Sequence, residues 1–182
     1  MVVPFGIVGY LIYRAYKANK ARMATLSAWA QARGFTYADD DDSVIELSSQ
    51  APFGEGNGRH ASSVMTGAAG ERKALAFDYR YETQSMNSKG MSDTTTWNYA
   101  IVCLDLPCEV PEMWVTKEHL LTRVFGQDIE LESDEFNRRF NVKAADHKFA
   151  VDVLPPRTMQ ALLDAPMLQW RLEGSTMISW GS

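Results

Sequence analysis

The sequence predicts an α+β fold: a twisted antiparallel β-sheet with short helices on one face, preceded by a long N-terminal helix. Three observations carry this. Along Lys73–Glu82, Leu75, Phe77, Tyr79 and Tyr81 alternate with Asp78, Arg80 and Glu82, the period of a half-buried strand. Neighbouring strand candidates are joined by links too short for crossover helices, which makes their order antiparallel. The second half changes to short, capped segments of helical period, punctuated by Pro155 and Pro156.

Composition sets the bounds. A chain of 182 residues suits one domain. With 46% hydrophobic and 23% charged residues, disorder, collagen and a coiled-coil rod are excluded as whole-chain descriptions. Two cysteines build neither a disulfide framework nor a four-cysteine zinc site. A net charge of −5 argues against nucleic acid as a partner.

The charge is unevenly placed. Residues 1–38 hold Arg14, Lys17, Lys20, Arg22 and Arg33 and no acid, so they carry +5 and the remainder −10. Before these bases stands the apolar run Val2–Tyr13. A secretory signal has the opposite order, bases first. Apolar residues followed by Arg14, Lys17, Lys20 and Arg22 suit an anchor held at a membrane surface, its C-terminal side cytoplasmic. Twelve such residues rise only about 18 Å as a helix, against a hydrocarbon core of about 30 Å. Three readings stay open: a start downstream of the true one, a segment dipping into one leaflet or pairing with a partner helix, or a docking helix of a soluble domain. The expectation is one helix over 4–33, anchor first, docking face second, the latter carrying Met23, Leu26 and Ala30 with Gly34 as C-cap. Residues 1–33 then form the tether and 34–182 one globular domain at the cytoplasmic side of the cell membrane, with membrane lipids as one partner.

Along the body, Phe35–Tyr37 and the apolar run Val44–Leu47 precede a glycine-rich loop, Ser48–Gly58. Arg59–Thr66 and Lys73–Glu82 form a hairpin turning on Gly67–Arg72. Thr83–Thr94 reads as a mobile polar loop. Thr95–Leu106 is the third strand of a meander, stopped by Pro107. Met113–Val115 is a further strand. Thr116 caps a helix Lys117–Phe125, closed by Gly126, and Asp128–Leu131 is a short strand. Ser133 caps the next helix, with Asp134 and Glu135 in its first turn and Phe136 and Phe140 on one face. A helical pattern from Ala144 through Phe149–Leu154 breaks at Pro155, and Pro156 opens another through Leu163. Met167–Leu172 and Thr176–Trp180 form a closing hairpin around Glu173–Ser175.

Residues 128–163 resemble a bacterial family known only as a domain of unknown function, often attached to N-terminal membrane helices. The matching elements are Glu132-Ser133, Phe136, Phe140, Val142, Asp146, Leu154-Pro155 and Leu162-Leu163. Ala76-Phe77-Asp78-Tyr79 and the anchor-like start also fit its actinobacterial members. The resemblance implies a membrane-tethered domain with no known chemistry, and no site residue transfers with it.

Candidates for chemistry are sparse. His60, His119 and His147 show no metal-ligand spacing, so side chains of structural or surface type are expected. Cys103 and Cys108 point to opposite faces of a strand and suit small core residues in a reducing compartment. Asp39–Asp42 lacks the alternation of a calcium loop and suits a solvated turn. Gly54, Gly56 and Gly58 before Arg59 lead into a strand, not a helix, so a phosphate cradle is not expected. Asp128, Glu130, Glu132, Asp134, Glu135 and Asp146 lie close together. Glu130 and Glu132 share a strand face, as an acid–base pair would, while Ser133 and Asp134 suit a helix cap and Asp146 a structural hydrogen bond. With no cofactor motif, the expectation is a non-enzymatic protein-interaction or accessory module with a protein partner. The alternatives are a hydrolase or transferase with an acid/histidine site, or a lipid or small-molecule binder between sheet and helices.

Overall fold

The computed structural model describes residues 20–86, 91–117, 127–164 and 169–181. A helix over 20–32 (α1) comes first. Met23 and Leu26 are half-buried and Ala30 is fully buried, the apolar stripe expected of a docking face. The helix closes on a Schellman motif. Gly34, at φ +76°, donates to the Gln31 carbonyl at 3.1 Å, and Phe35 donates to that of Ala30 at 2.9 Å. Phe35 then packs on Gly67, where a Cβ would fall 2.6 Å from its ring.

The helix expected over 4–33 is described only from residue 20, and its first half lies outside the described residues. No described helix is long and apolar enough to cross a membrane, which overturns the expected transmembrane segment and the lipid partnership built on it. The physical reason lies in α1. Within it only Met23, Leu26, Ser27 and Ala30 are withdrawn from solvent, a stripe along one side and not the all-round apolar surface of a spanning helix. Of the four bases expected at a membrane surface, Arg22 pairs with Asp78 at 2.8 Å. Lys20 is exposed, and Arg14 and Lys17 lie outside the described residues.

Among the described residues the sheet has seven strands: β1 (Thr36–Asp40), β2 (Asn57–Ala69), β3 (Arg72–Met86), β4 (Ser92–Lys117), β5 (Gln127–Asp128), β6 (Phe140–Ala144) and β7 (Gln169–Gly181). The order is β1-β2-β3-β4-β6-β5, with β7 also on β4, and every pairing is antiparallel. β4 is the spine. One of its edges takes β3 along residues 92–104 and β6 along 113–117, while β7 runs down the other edge. The α+β class is thus as expected, with α2 (Asp134–Arg139), α3 (His147–Val153) and α4 (Pro156–Asp164) gathered at the β6 end.

Several local expectations change. β4 passes through Pro107 and Pro111 instead of stopping, because both lie where the register against β7 shifts, and a bulge tolerates a residue without an N–H. The closing hairpin is absent: Gln169–Gly181 is one strand, and Gly174, at φ +58°, sits opposite Val110 in the same bulged stretch. Thr83–Met86 and Ser92–Thr94 are paired strand, not loop, leaving only 87–90 outside the described residues. Val44–Leu47 lies in a 3-10 helix (Asp42–Leu47). Thr116 and Lys117 end β4, so Lys117 is strand and not the first residue of a helix, and 118–126 lie outside the described residues. Asp128–Leu131 is strand only at Asp128, and Phe140 starts β6, though its ring still stacks on Phe136 at 4.7 Å.

Two apolar cores form, joined by β4 and β7. One packs Phe53, Phe77, Tyr79, Tyr81, Ile101, Trp114 and Trp180. The other packs Met113, Val115, Phe136, Phe140, Leu154, Met159, Trp170 and Leu172.

Candidate functional site

The second core is roofed by α3 and α4, and their junction makes a groove. Asp146 caps α3 by accepting from the backbone N–H groups of Lys148 at 2.8 Å and Phe149 at 3.3 Å. Leu154 ends the helix with its side chain buried, and Pro155 prevents continuation. Pro156, whose missing N–H costs nothing in a first helical turn, opens α4. Between these helices and the 130–132 segment lies a groove of about 430 Å³. Its floor is apolar, with Leu131, Val151, Leu154 and Met159. Glu130, Glu132 and His147 frame it, all exposed. The two carboxylates make no ion pair with a described residue.

The remaining acids of that stretch are structural or apart from the groove. Ser133 caps α2, its hydroxyl accepting from the Phe136 N–H at 3.2 Å, with Asp134 and Glu135 in the first turn. Asp128 lies in β5.

A second polar cluster forms where β1 meets β2. His60 Nε2 lies 3.0 Å from Asp40 Oδ1 and its Nδ1 3.0 Å from Asp42 Oδ1. Asp42 also accepts from the Ala61 N–H at 2.8 Å. Asp41 caps the 3-10 helix through Ser43, and that hydrogen bond holds its carboxyl below the usual range. The acidic run is therefore a clamp on one imidazole rather than a plain solvated turn. The carboxylates approach opposite sides of the ring, which does not enclose a cation. Among the described residues no group of three or more His, Cys, Asp or Glu is placed to hold a metal ion.

The glycine-rich loop serves the first core. Phe53 is buried and meets Tyr79 at 5.2 Å, and Arg59 donates to the Phe53 carbonyl at 2.9 Å. Gly54 allows the close return, since a Cβ there would fall 2.0 Å from the Ser49 carbonyl oxygen. Cys103 is buried, and burial pushes its thiol up to about 11, whereas Cys108 is exposed. His119 lies outside the described residues.

Sequence reasoning brought Glu130, Glu132 and His147 forward but not the apolar floor between them. A readable signal was Val151, an aliphatic residue between Ala150 and Asp152 on the outer side of a capped helix. Arg171 was also missed. A lone base in the run Trp170-Arg171-Leu172 signals a buried, partnered charge, and the side chain is indeed fully buried.

These features define an antiparallel α+β domain with an apolar groove at its helical end. No protein-family model and no curated protein matches the chain. Among solved structures it is similar to the mycobacterial trehalose monomycolate transport factor A, TtfA, with a TM-score of 0.66 at 12% identity over 87% of this chain and 80% of that one. At that identity the likeness is one of fold.

Proposed function

We infer that this domain is a protein-interaction or accessory module whose α3–α4 groove takes an aliphatic side chain from a partner segment carrying Lys or Arg beside it. The observation that carries the reading is the groove itself: an apolar floor that includes an exposed Val151, framed by Glu130 and Glu132 without ion partners among the described residues. An aliphatic anchor covers the floor, and flanking bases meet the carboxylates. The fold-level neighbour is a transport factor by name, which agrees with an accessory role.

The test is an NMR titration with a short synthetic peptide bearing two leucines between lysines, beside the same peptide with glutamates. Shifts at 130–132 and 147–159 with the lysine peptide alone, lost in Val151→Glu, support the module. Equal response to both peptides, or none, overturns it. A second reading has its own observation, since Glu130, Glu132 and His147 share one rim as an acid/histidine hydrolase or transferase requires. Turnover in a broad ester, phosphoester and glycoside screen that vanishes in Glu132→Gln and His147→Ala selects it.

A further inference from the structure

His60 turns both ring nitrogens on carboxylates: Nδ1 lies 3.0 Å from Asp42 Oδ1 and Nε2 lies 3.0 Å from Asp40 Oδ1. A carboxylate only accepts, and a neutral imidazole carries a single N–H. Both contacts are hydrogen bonds only while the ring holds two protons and a positive charge. In a neutral ring one nitrogen points a lone pair at an anion, and that contact becomes repulsive.

The surroundings set which contact fails. Asp42 starts the 3-10 helix, and its Oδ1 also accepts from the Ala61 N–H at 2.8 Å, so it stays beside Nδ1. Asp40 is the last residue of β1, and among the described residues its carboxylate meets only the ring. Around it the strand end is held by the Asp40↔Ser62 pairing and by the Asp41 N–H, which donates to the Ala61 carbonyl at 3.2 Å. The other charges near the ring are engaged elsewhere. Asp41 bonds Ser43, and Arg59 donates to the Phe53 carbonyl. Arg80, the register partner of His60 on β3, pairs with Glu82, and Asp78 pairs with Arg22. Asp39 takes the opposite face of β1 from Asp40, and Glu46 lies more than a turn along the 3-10 helix.

We propose that His60 is a one-proton latch on the end of β1. With both nitrogens protonated the ring ties Asp40 to Asp42. When Nε2 gives its proton to solvent, the ring keeps Asp42 through Nδ1–H and releases Asp40. Release comes as pH rises through the range of roughly 5 to 8 in which imidazoles change charge. All three side chains are exposed, so the latch contributes little to global stability and acts locally.

NMR of the full chain at about pH 5 and about pH 8.5, either side of that range, tests it. Nitrogen-15 shifts of the His60 ring locate its protons, and amide exchange at Asp41 and Ala61 reads the two arms. The neutral ring is expected to keep Nδ1–H and bare Nε2. Protection of the Asp41 amide, corrected for the intrinsic pH dependence of exchange, is then several-fold lower at the higher pH, with that of Ala61 unchanged. Asp40→Asn separates the latch from general loosening. Its amide accepts from Nε2–H and, turned over, donates to a bare Nε2, so this variant shows no step at Asp41. A neutral ring protonated on Nε2 overturns the proposal, as does equal protection of Asp41 at both pH values. So does an equal loss at Ala61, or a step that survives Asp40→Asn.

Discussion

Arg171 and Trp114 are register partners on β7 and β4, and the guanidinium carbon lies 4.7 Å from the indole centroid with both side chains buried. The pair stands where the two cores meet. Trp114 belongs to one core, while its neighbours Met113 and Val115 belong to the other. Arg171 Nε donates to Glu173 at 3.0 Å and Nη1 donates to the Ala51 carbonyl, which ties the glycine-rich loop to the sheet. Phe53 and Trp180 complete the aromatic enclosure at 5.8 and 5.7 Å. Burial weakens the guanidinium's hold on its proton, and the Glu173 carboxylate opposes that shift.

Truncating this cation is therefore expected to be costly. Arg171→Ala leaves a cavity, strips the Ala51 carbonyl of this donor and leaves Glu173 to the Ser48 hydroxyl, a loss of about 3–5 kcal/mol. Arg171→Met fills much of the volume without a charge and costs clearly less. Urea unfolding of the two variants checks the order. Equal losses would contradict the role given to packing around the guanidinium.

The two helix caps make a matched pair. Ser133→Ala and Asp146→Ala each remove a side-chain acceptor from the first turn of a short helix, so each is expected to cost about 1 kcal/mol in thermal or urea unfolding. Asp146→Asn, which keeps a capping oxygen, recovers most of the loss. A full loss in Asp146→Asn would show that the carboxylate charge, not the cap, is what matters.

The clamp on His60 is unequal. Asp42 also accepts the Ala61 N–H, whereas Asp40 contributes its carboxylate only to the exposed imidazole. Asp40→Ala should change stability by a few tenths of a kcal/mol, as exposed ion pairs do. Asp42→Ala should cost about 1 kcal/mol, since it strips a backbone donor as well. Amide exchange at Ala61 rises only in the second variant.

Alkaline pH should loosen the first core. Burial raises the Cys103 thiol from 9.0 to about 11 and the Tyr79 phenol from 10.0 to about 12. Both groups are held neutral, so the fold binds more protons than the unfolded chain in that range. Stability is then level below pH 9 and falls as pH climbs toward 12. The urea midpoint should drop between pH 8.5 and pH 11, with a shallower early decline in Cys103→Ala. A midpoint flat across that range counts against burial as the cause.

What could be read along the chain is what neighbouring residues decide among themselves. The alternation of Leu75, Phe77, Tyr79 and Tyr81 marks β3 because a strand's side chains must take opposite faces. Gly34, Ser133, Asp146 and the Pro155-Pro156 pair mark helix ends because caps act within a turn. Strand length was a different matter. Pro107, Pro111 and Gly174 look like breaks until two strands share a bulge, and that depends on residues about 65 positions apart along the chain. Glu130, Glu132 and His147 were visible, but their common rim was not, since a groove is made by helices folding back over a segment that precedes them.

The sequence by itself determined the α+β class, the hairpin of β2 and β3 and the capped helices, through contacts a few residues long. Tertiary structure alone decided the course of β4 and β7, the burial of Arg171 against Trp114 and the pairing of Arg22 with Asp78. Those features arise where distant segments meet. Pairing across such separations depends on which surfaces remain to be covered once local structure has formed, and local patterns do not encode that.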